Sequence, residues 1–289
     1  MQYVILDLEW NGAYSKKKKK YINEIIEVGA VKVNDSIEIV DTFSMLVKPQ
    51  IGKKISGRVV ELTHISNDEL STSNNTYTHT MGLFKKFAQD CVVMTWGTTD
   101  ISTMMDNNDY YLHNKRLGFL TDYIDLQVYC QNTMKMSDPG KQMGLETAAQ
   151  LLGVEYGEDS LHRALDDSIL SYKCFKKLYD KDKISQYIRK ADTHFYDRIG
   201  FKNVAITDID NPMLDKEQMY VLCDKCGSLV TTAEPWIIKN KSFRSRFHCN
   251  KCNCDFYGRI TFKLKFDGVH IKRATYTPPS PQQTGTEEE

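Results

Sequence analysis

The chain begins with an apolar strand pattern, ILDLEWN at residues 5–11, that carries two acidic side chains, Asp7 and Glu9. Side chains alternate between the two faces of a strand, so both carboxylates point the same way. Like charges this close repel each other, and burying either one without a partner costs several kcal/mol. The pattern therefore leaves two alternatives: a strand at the edge of a sheet with a hydrated acidic face, or a strand whose carboxylates hold a cation.

Three strand patterns follow one another at the start of the chain, at 2–8, 24–33 and 37–47, and their close succession predicts an antiparallel meander. Helical patterns come next, with a short apolar strand pattern at 92–97 among them. Strands interleaved with helices predict an α/β layer fold. The predicted helices lie near residues 81–91, 101–115, 144–153 and 163–179.

With 289 residues, the chain is long enough for two domains. A turn-rich segment, DIDNPMLDKE at 208–217, marks the predicted boundary. The tail has Pro, Gly and polar residues but no core formers, which predicts disorder. We divide the chain into a domain at 1–185, a connecting segment at 186–217, a small β-rich unit at 218–273 and a disordered tail at 274–289.

Charge is balanced over the whole chain, with 38 basic and 38 acidic side chains, but it is unevenly distributed. Residues 216–273 carry twelve Lys and Arg against five Asp and Glu. A basic module beside a slightly acidic body suggests a polyanionic partner. No apolar run approaches the roughly 20 residues of a membrane span, and no signal-peptide pattern is present. We therefore expect a cytoplasmic protein that does not act at a membrane.

Two further segments carry side chains suited to chemistry. WGTTD at 96–100 places Asp100 just after a predicted buried strand, and HRALDDS at 162–168 places His162 and two adjacent aspartates at a helix start. In this order, the acidic segments resemble the DEDDh branch of the DEDD 3′→5′ exonuclease superfamily. The matching pieces are DLE at 7–9, EIIEVGAV at 24–31, LTHI at 62–65, Asp100 and HRALDDS, and the resemblance covers roughly residues 1–180.

The resemblance implies an RNase H-like exonuclease fold, a mixed central sheet flanked by helices. It also implies hydrolysis of single-stranded nucleic acid from the 3′ end to nucleoside 5′-monophosphates. WGTTD and HRALDDS are most similar to members that trim RNA, so RNA is expected more than DNA. The alternatives are an exonuclease for DNA or very short oligonucleotides, and a non-catalytic adaptor that binds RNA or a protein. The complete acidic set argues against the adaptor.

The same resemblance assigns roles to five residues. Asp7, Glu9 and Asp167 are expected to hold one divalent ion, Mg²⁺ or Mn²⁺, with Asp7 bridging to a second ion that Asp100 supports. Hard cations of this kind prefer carboxylate oxygens, and two of them suit phosphodiester hydrolysis. His162 is expected to be the general base, because the pKa of histidine is ordinarily near neutrality.

The choice between Asp166 and Asp167 depends on where the helix begins. If Ser160 capped the helix, His162 and Asp166 would share a face. The family pattern His-x-Ala-x-x-Asp selects Asp167 and leaves His162 outside the regular helix, and we follow it.

The resemblance also predicts residues that contact the substrate: Leu8, Trp10, Thr63, His64 and Trp96. Trp10 stands where many members have Thr, so it could contact the terminal base or simply fill the core. Five consecutive lysines, at 16–20, follow the first strand. They could reach backbone phosphates or form a solvated hairpin tip.

Two CxxC pairs lie in the basic module, Cys223 with Cys226 and Cys249 with Cys252. This spacing is typical of four thiolates that hold one structural Zn²⁺. After them, RITFKLKF at 259–266 alternates apolar and basic residues, so the unit resembles a zinc ribbon, and a unit this small needs such a metal for stability. Cys254 and His248 are the other candidate ligands.

Basic and aromatic residues are interleaved in this module. Such a mixture suits single-stranded nucleic acid, which is bound by phosphate pairing and base stacking. In the alternative interpretation the aromatic residues form the core and the basic ones only solvate it. The residues concerned are Lys241, Arg244, Arg246, Lys251, Arg259, Lys263 and Lys265, and Trp236, Phe243, Phe247, Phe256 and Tyr257.

Overall fold

The computed structural model describes residues 1–136, 142–157 and 162–276. The chain divides into two compact units, Met1–Gly200 and Phe201–Glu289. The Ser160 cap and the predicted disorder of residues 277–289 lie outside the described residues. The tail is predicted to begin at residue 274, but residues 274–276 belong to the last strand, Gly268–Tyr276, so this boundary is wrong by three residues. Among the helices described, each is too short or too polar to cross a lipid bilayer.

The first unit is built on a six-stranded mixed sheet with the order β3-β2-β1-β4-β5-β6. The first three strands form the predicted antiparallel meander, β4 and β5 continue the sheet in parallel with β1, and β6 closes it antiparallel to β5. The strands are β1 (Gln2–Ser15), β2 (Lys20–Val33), β3 (Ile39–Leu46), β4 (Cys91–Thr95), β5 (Asp122–Asp125) and β6 (Arg189–Lys190).

Helices cover both faces of this sheet. Alternate residues of β1 enter two separate cores: Val4, Leu6 and Leu8 pack with α3 and α4, whereas Tyr3 and Ile5 pack with α5, α6 and α7. The predicted α/β fold, a mixed sheet flanked by helices, is therefore confirmed. The helices are α1 (Gly57–Thr63), α2 (Asn67–Thr72), α3 (Tyr77–Phe87), α4 (Thr99–Leu112), α5 (Leu126–Thr133), α6 (Leu145–Leu151), α7 (Ala164–Leu178), α8 (Lys181–Ile184) and α9 (Thr193–Gly200).

Helix α7 lies against the backbone of β2 at Gly29. A β-carbon built on Gly29 would be only 2.1 Å from the backbone carbon of Ala164 and from the backbone nitrogen of Leu165. The hydroxyl of Ser168 also donates a hydrogen bond of 2.9 Å to the Gly29 carbonyl. Any side chain at residue 29 would therefore push the start of α7 away from the sheet.

The pairing of β1 with β2 shifts by one residue beside the acidic strand. Glu9 lies opposite Glu27, but Trp10 lies opposite Ile25, so the ladder skips Ile26. This is a β-bulge, an irregularity that often lies next to active sites. It lets Ile26 enter a separate small core, with Ile55, Ile65 and Leu70.

The second unit is a β-rich module. Its main sheet has the order β10-β11-β12-β13, β7 pairs with the remaining edge of β12, and β8 and β9 form a two-stranded sheet. The strands are β7 (Val204–Ile206), β8 (Val221–Leu222), β9 (Leu229–Val230), β10 (Ile237–Lys239), β11 (Ser242–Cys249), β12 (Cys254–Lys265) and β13 (Gly268–Tyr276).

The segment at 186–217, predicted to be a connection, contains regular structure. Strand β6 and helix α9 belong to the first unit, and β7 belongs to the second. These elements are short, and their pairing partners are far away in sequence, so local pattern does not reveal them.

Replacement of Gly29 by Ala should destabilise the first unit by roughly 1–3 kcal/mol or more, the usual cost of overpacking a core. The cost is high here because backbone atoms, rather than a movable side chain, block the new methyl group. Urea unfolding followed by circular dichroism at 222 nm measures this, since all α-helices of the described residues lie in this unit.

Gly82→Ala is the matched control. Gly82 lies inside α3, and a β-carbon there meets no heavy atom within 4 Å. The change should stabilise the helix by about 1 kcal/mol at most, from helix propensity alone. Equal stability of Gly29→Ala and the unsubstituted protein would show that α7 is not fixed by this contact.

Candidate active site and cysteine cluster

Three carboxylates meet where β1 faces the start of α7. Asp7 and Glu9 come from β1 and Asp167 comes from the first turn of α7, and one oxygen of each lies within 4.8 Å of the other two. Asp7 is paired with Gly29, the residue that α7 touches, and directly opposite residues of a β-pair share a face. The close approach at Gly29 therefore brings Asp167 to the two strand carboxylates.

A fourth carboxylate, Asp100, lies beside this cluster. It belongs to the first turn of α4, which follows directly after the buried strand β4, and it is 4% exposed. The charge of Asp100 is, after burial, the largest cause that raises the pKa of Asp7. The structure therefore brings together all four carboxylates that the sequence selected.

The pKa values of these groups show that the ionised form of each carboxyl is disfavoured in the folded protein. Burial, followed by the neighbouring carboxylates, raises the pKa of Asp7 well above its usual range and that of Glu9 to about 8. Burial also raises the pKa of Asp100 to about 7 and that of Asp167 to about 6. A group of repelling oxygens in a confined space is the donor set that fits a hard divalent cation.

Glu27 is a fifth acidic residue here, and its charge is already compensated. The guanidinium of Arg163 donates to it from Nη2 at 2.7 Å and from Nε at 3.1 Å, and the backbone N–H of Ala164 donates to it at 3.0 Å. Glu27 is 1% exposed. It therefore ties the first residues of α7 to β2, and it engages the Arg163 guanidinium that could otherwise pair with another carboxylate of the site.

Sequence reasoning missed this role. Glu27 lies in EIIEVGAV, one of the segments that carried the resemblance, but the segment says nothing about its partner, 136 residues away. The one signal was a charged residue next to the apolar run Val28–Val31 of the same strand.

His162 lies just outside α7, which begins at Ala164. Its backbone is left-handed, with φ of 68°, a conformation uncommon for residues other than glycine but more frequent for His than for most. Burial raises the pKa of Asp167, whereas the neighbouring His162, through its ring and its backbone N–H, lowers it. The helix therefore starts where the family pattern required, and Asp167 rather than Asp166 joins the carboxylate cluster.

The predicted substrate-contacting residues differ in their exposure. Leu8 is buried in the first core. Thr63 is buried too, and its hydroxyl donates to the Val59 carbonyl at 2.9 Å. His64 is exposed and ends α1 in a left-handed conformation. Of these three residues, His64 alone presents its side chain to solvent.

The two tryptophans are half-buried. Trp10 packs against the first core, and Trp96 packs against the second. The indole N–H of Trp96 donates to the Met143 carbonyl at 2.9 Å, so this ring has a fixed position. Each tryptophan has both a core contact and an exposed part.

The lysine run at 16–20 forms the tip of the β1–β2 hairpin, and α4 neutralises part of it. Lys18 pairs with Asp109 at 2.7 Å, and Lys20 pairs with Asp106 at 3.0 Å. The hairpin tip is therefore held against α4 rather than free in solvent, and these two lysines are occupied.

Another buried carboxylate, Glu24, was not anticipated from the sequence. It is 1% exposed and accepts hydrogen bonds from three successive backbone N–H groups and a tyrosine hydroxyl. Glu24 thereby fixes the loop before α1. Because most of its partners are backbone groups, no residue pattern indicates it. The donors are Gln50, Ile51, Gly52 and Tyr111.

In the second unit, the sulfur atoms of Cys223, Cys226, Cys249 and Cys252 lie within 4.8 Å of one another. The separations of 3.5 Å for Cys226–Cys249 and for Cys223–Cys252 compare well with the roughly 3.8 Å expected when four thiolates surround Zn²⁺ at about 2.3 Å. The four cysteines fit a zinc ribbon.

The two other candidate ligands are placed differently. The Cys254 sulfur lies 3.3 Å from that of Cys252 and 3.8 Å from that of Cys223, at the margin of the cluster. The His248 imidazole instead contacts the Asp255 carboxylate, with Nδ1 at 3.0 Å from Oδ1.

Most aromatic residues of this unit form its core. Phe243 and Phe247 are each 1% exposed, and Phe256 is 6% exposed. Trp236 packs edge-on against Phe243 and Phe247. For these four rings the structure favours the interpretation as core, and base stacking would have to use other residues.

Residues 4–175, more than half of the chain, match the family described as exonuclease of the RNase T type. This range includes every carboxylate of the cluster and His162.

Three curated proteins are similar to parts of the chain. A probable 3′-5′ exonuclease, KapD, of Bacillus subtilis (strain 168) is 29% identical over 191 residues, 65% of this chain and 87% of that protein. A PolC-type DNA polymerase III of Thermotoga petrophila is 27% identical over 184 residues, 63% of this chain and 12% of that protein. The 3′-5′ exoribonuclease 1 of Rattus norvegicus is 26% identical over 161 residues, 52% of this chain and 45% of that protein.

Among solved structures, one described as a 3′-exonuclease in 3′-end specific recognition of a histone mRNA stem-loop superimposes with a TM-score of 0.52 at 22% identity. The superposition covers 65% of this chain and 84% of the chain in that structure. A likeness at this identity concerns the fold, and together with the family match it confirms the RNase H-like exonuclease fold.

The carboxylate cluster predicts an unusual pH dependence of stability. Folding raises these pKa values, so between about pH 4 and pH 8 the folded chain binds more protons than the unfolded chain. Without added divalent cation, the melting temperature should therefore fall as pH rises through this range. Added Mg²⁺ should raise the melting temperature more at pH 8 than at pH 5, where protons already occupy the oxygens.

Glu9→Gln provides the control, because it removes one repelling charge and should make the cation-free protein more stable at pH 8. Melting followed at 222 nm reports the unit concerned. A melting temperature independent of both pH and Mg²⁺ would show that repulsion between the carboxylates does not destabilise the folded protein.

Proposed function

This chain belongs to the exonuclease family and is a 3′→5′ exonuclease, and on that basis we propose that it removes nucleotides from single-stranded RNA as nucleoside 5′-monophosphates. The observation that carries the proposal is the cluster of Asp7, Glu9 and Asp167 beside Asp100, four carboxylates that form no ion pair with any cationic side chain among the described residues. A non-catalytic adaptor would have no use for a complete and costly acidic set.

RNA is the favoured substrate for two reasons. WGTTD and HRALDDS resemble the RNA-trimming members, and the rat relative and the solved structure are described as acting on or recognising RNA. DNA is the second candidate, because one relative is a DNA polymerase. Cytoplasmic action on RNA is part of the proposal.

Asp7, Glu9 and Asp167 would hold one divalent ion, Mg²⁺ or Mn²⁺, and Asp7 with Asp100 would support a second. Ions bound there would lower the pKa of the attacking water and stabilise the negative charge that develops on the leaving oxygen. The protein contributes the geometry, because β1 fixes two oxygens and the contact of α7 with Gly29 fixes the third.

His162 would act as the general base. Its position before the first turn of α7 leaves the imidazole free of the helix, next to Asp167. At neutral pH an imidazole can accept the proton of the attacking water on a ring nitrogen. His162 is close enough to Asp167 to lower the pKa of that carboxyl, so base and carboxylate lie side by side.

We also propose that Cys223, Cys226, Cys249 and Cys252 hold one structural Zn²⁺. The hydrophobic core of the second unit is small, and four thiols at this separation would otherwise have no structural reason to converge. The ion would fix the loops at one end of the sheet and take no part in hydrolysis.

A digest of matched RNA and DNA oligomers, each labelled at the 5′ end, tests the proposed activity. With Mg²⁺ or Mn²⁺, the RNA should shorten stepwise from its 3′ end and faster than the DNA. EDTA should stop the reaction. Asp167→Asn should lose activity at least about 10²-fold, whereas Asp166→Asn, one residue away on the same helix, should remain close to the unsubstituted protein.

Three results of the same digest would contradict the proposal. Undiminished hydrolysis in EDTA would exclude the metal-dependent mechanism, and faster shortening of DNA would exclude RNA as the preferred substrate. A larger loss from Asp166→Asn than from Asp167→Asn would show that the wrong carboxylate has been assigned.

The zinc site makes a separate prediction. Mass spectrometry under native conditions should find one zinc per chain, and Cys223→Ser should lose it together with the folded second unit, because metal binding and folding are coupled. Cys254→Ser is the matched control and should keep the zinc. If both variants retained it, or if the unsubstituted protein held none, the four-cysteine assignment would be wrong.

A further inference from the structure

The three long strands of the second unit separate their side chains by chemistry. Directly opposite residues of antiparallel strands project to the same side, so the pairing identifies each face. One face is apolar and buried, and it includes Phe243, Phe247 and Phe262. The other face, which we call the basic face, carries Arg244, Arg246, Arg259, Lys263 and Lys272, with Tyr257 and Tyr276 among them.

Most of the charge on the basic face has no counterion within the described part of the protein. Asp255 is the only acidic residue in the sequences of β11, β12 and β13, and it is engaged by Arg246 at 3.1 Å. Among the described residues, no carboxylate lies within ion-pair distance of Arg259, Lys263 or Lys272, and all three are exposed. A surface of this kind attracts a polyanion.

Two tyrosines lie at one end of the basic face. Their ring centroids are 5.9 Å apart, with the planes inclined by 33°, and Tyr257 is 38% exposed. The guanidinium of Arg244 lies 5.9 Å from the centre of the Tyr276 ring. In contrast to the buried phenylalanines, these rings are placed where an unpaired base could stack on them.

We propose that the basic face binds single-stranded RNA, with Arg259, Lys263 and Lys272 on successive phosphates and Tyr257 under a base. The inference rests on the proposed function, since the bound strand would be the substrate of the first unit. Single-stranded rather than duplex RNA is favoured because the bases of a duplex are stacked on each other and cannot reach the tyrosines. The contacts to phosphates and ring faces would be tolerant of sequence.

Fluorescence anisotropy with a labelled oligouridylate tests the proposal in the full chain carrying Asp7→Asn, which prevents cleavage. The face variant replaces Arg259, Lys263 and Lys272 by Gln. The matched control replaces Lys202, Lys216 and Lys225, three exposed lysines outside the strands of the same unit, by Gln. Retention of zinc, measured by mass spectrometry, verifies that each variant is folded.

The face variant should bind RNA more weakly than the parent. The slope of log affinity against log salt concentration should become less steep by about 2, because each lost phosphate contact removes roughly 0.7. The control should keep the slope of the parent. Tyr257→Ala should weaken binding about fivefold or more with little change in slope, as expected when stacking is removed. Duplex RNA should bind less tightly than the single strand.

Three results would overturn the proposal: an unchanged slope in the face variant, an equal loss in the control, or duplex RNA bound as tightly as the single strand together with no effect of Tyr257→Ala. Hydrolysis of a dinucleotide, measured with Asp7 restored, distinguishes an error in the proposed RNA-binding face from an error in the proposed catalytic function. The face variant should cleave the dinucleotide at the unsubstituted rate, whereas no cleavage by any version would refute the catalytic assignment.

Discussion

The contact between the first turn of α7 and strand β2 is the constraint on which the active site depends. Gly29 leaves no room for a side chain, Ser168 donates to its carbonyl, and Glu27 accepts from the backbone of Ala164. Together these contacts position Asp167 against the carboxylates of β1. Without them, the strand would carry two acidic side chains but no third ligand.

This arrangement has an electrostatic cost that the cationic side chains among the described residues do not neutralise. The one guanidinium that the described residues place at the site, that of Arg163, is held by Glu27 rather than by the cluster. The raised pKa values of Glu9, Asp100 and Asp167 express the remaining repulsion. A site of this kind is prepared for cation binding, since the ion would remove a penalty that folding has already imposed.

Much of this site could be predicted from the sequence, because strand alternation places Asp7 and Glu9 together and the segment order supplies Asp100 and HRALDDS. Helix spacing alone left Asp166 and Asp167 open, and only the resemblance selected Asp167. The physical reason for that choice is the left-handed backbone of His162 and a partner of Arg163, Glu27, that is distant in sequence. Glu24 escaped notice for a related reason, since three of its four partners are backbone groups.

In the second unit, spacing alone identified the four cysteines, because a metal site constrains sequence strongly. The interleaved basic and aromatic residues were ambiguous, because composition does not say which strand face each residue occupies. The pairing of β11, β12 and β13 separates them: the phenylalanines form the core, and Arg244, Arg259 and Lys263 share the opposite face with Tyr257.

The central claim is that Asp7, Glu9 and Asp167 form one metal site, and anomalous X-ray diffraction from crystals of the full chain equilibrated with Mn²⁺ tests it most directly. The account predicts a manganese peak in contact with oxygens of all three side chains, at roughly the 2.0–2.6 Å typical of hard cations. A map in which manganese is missing from this cluster, although it binds elsewhere on the surface, would contradict it.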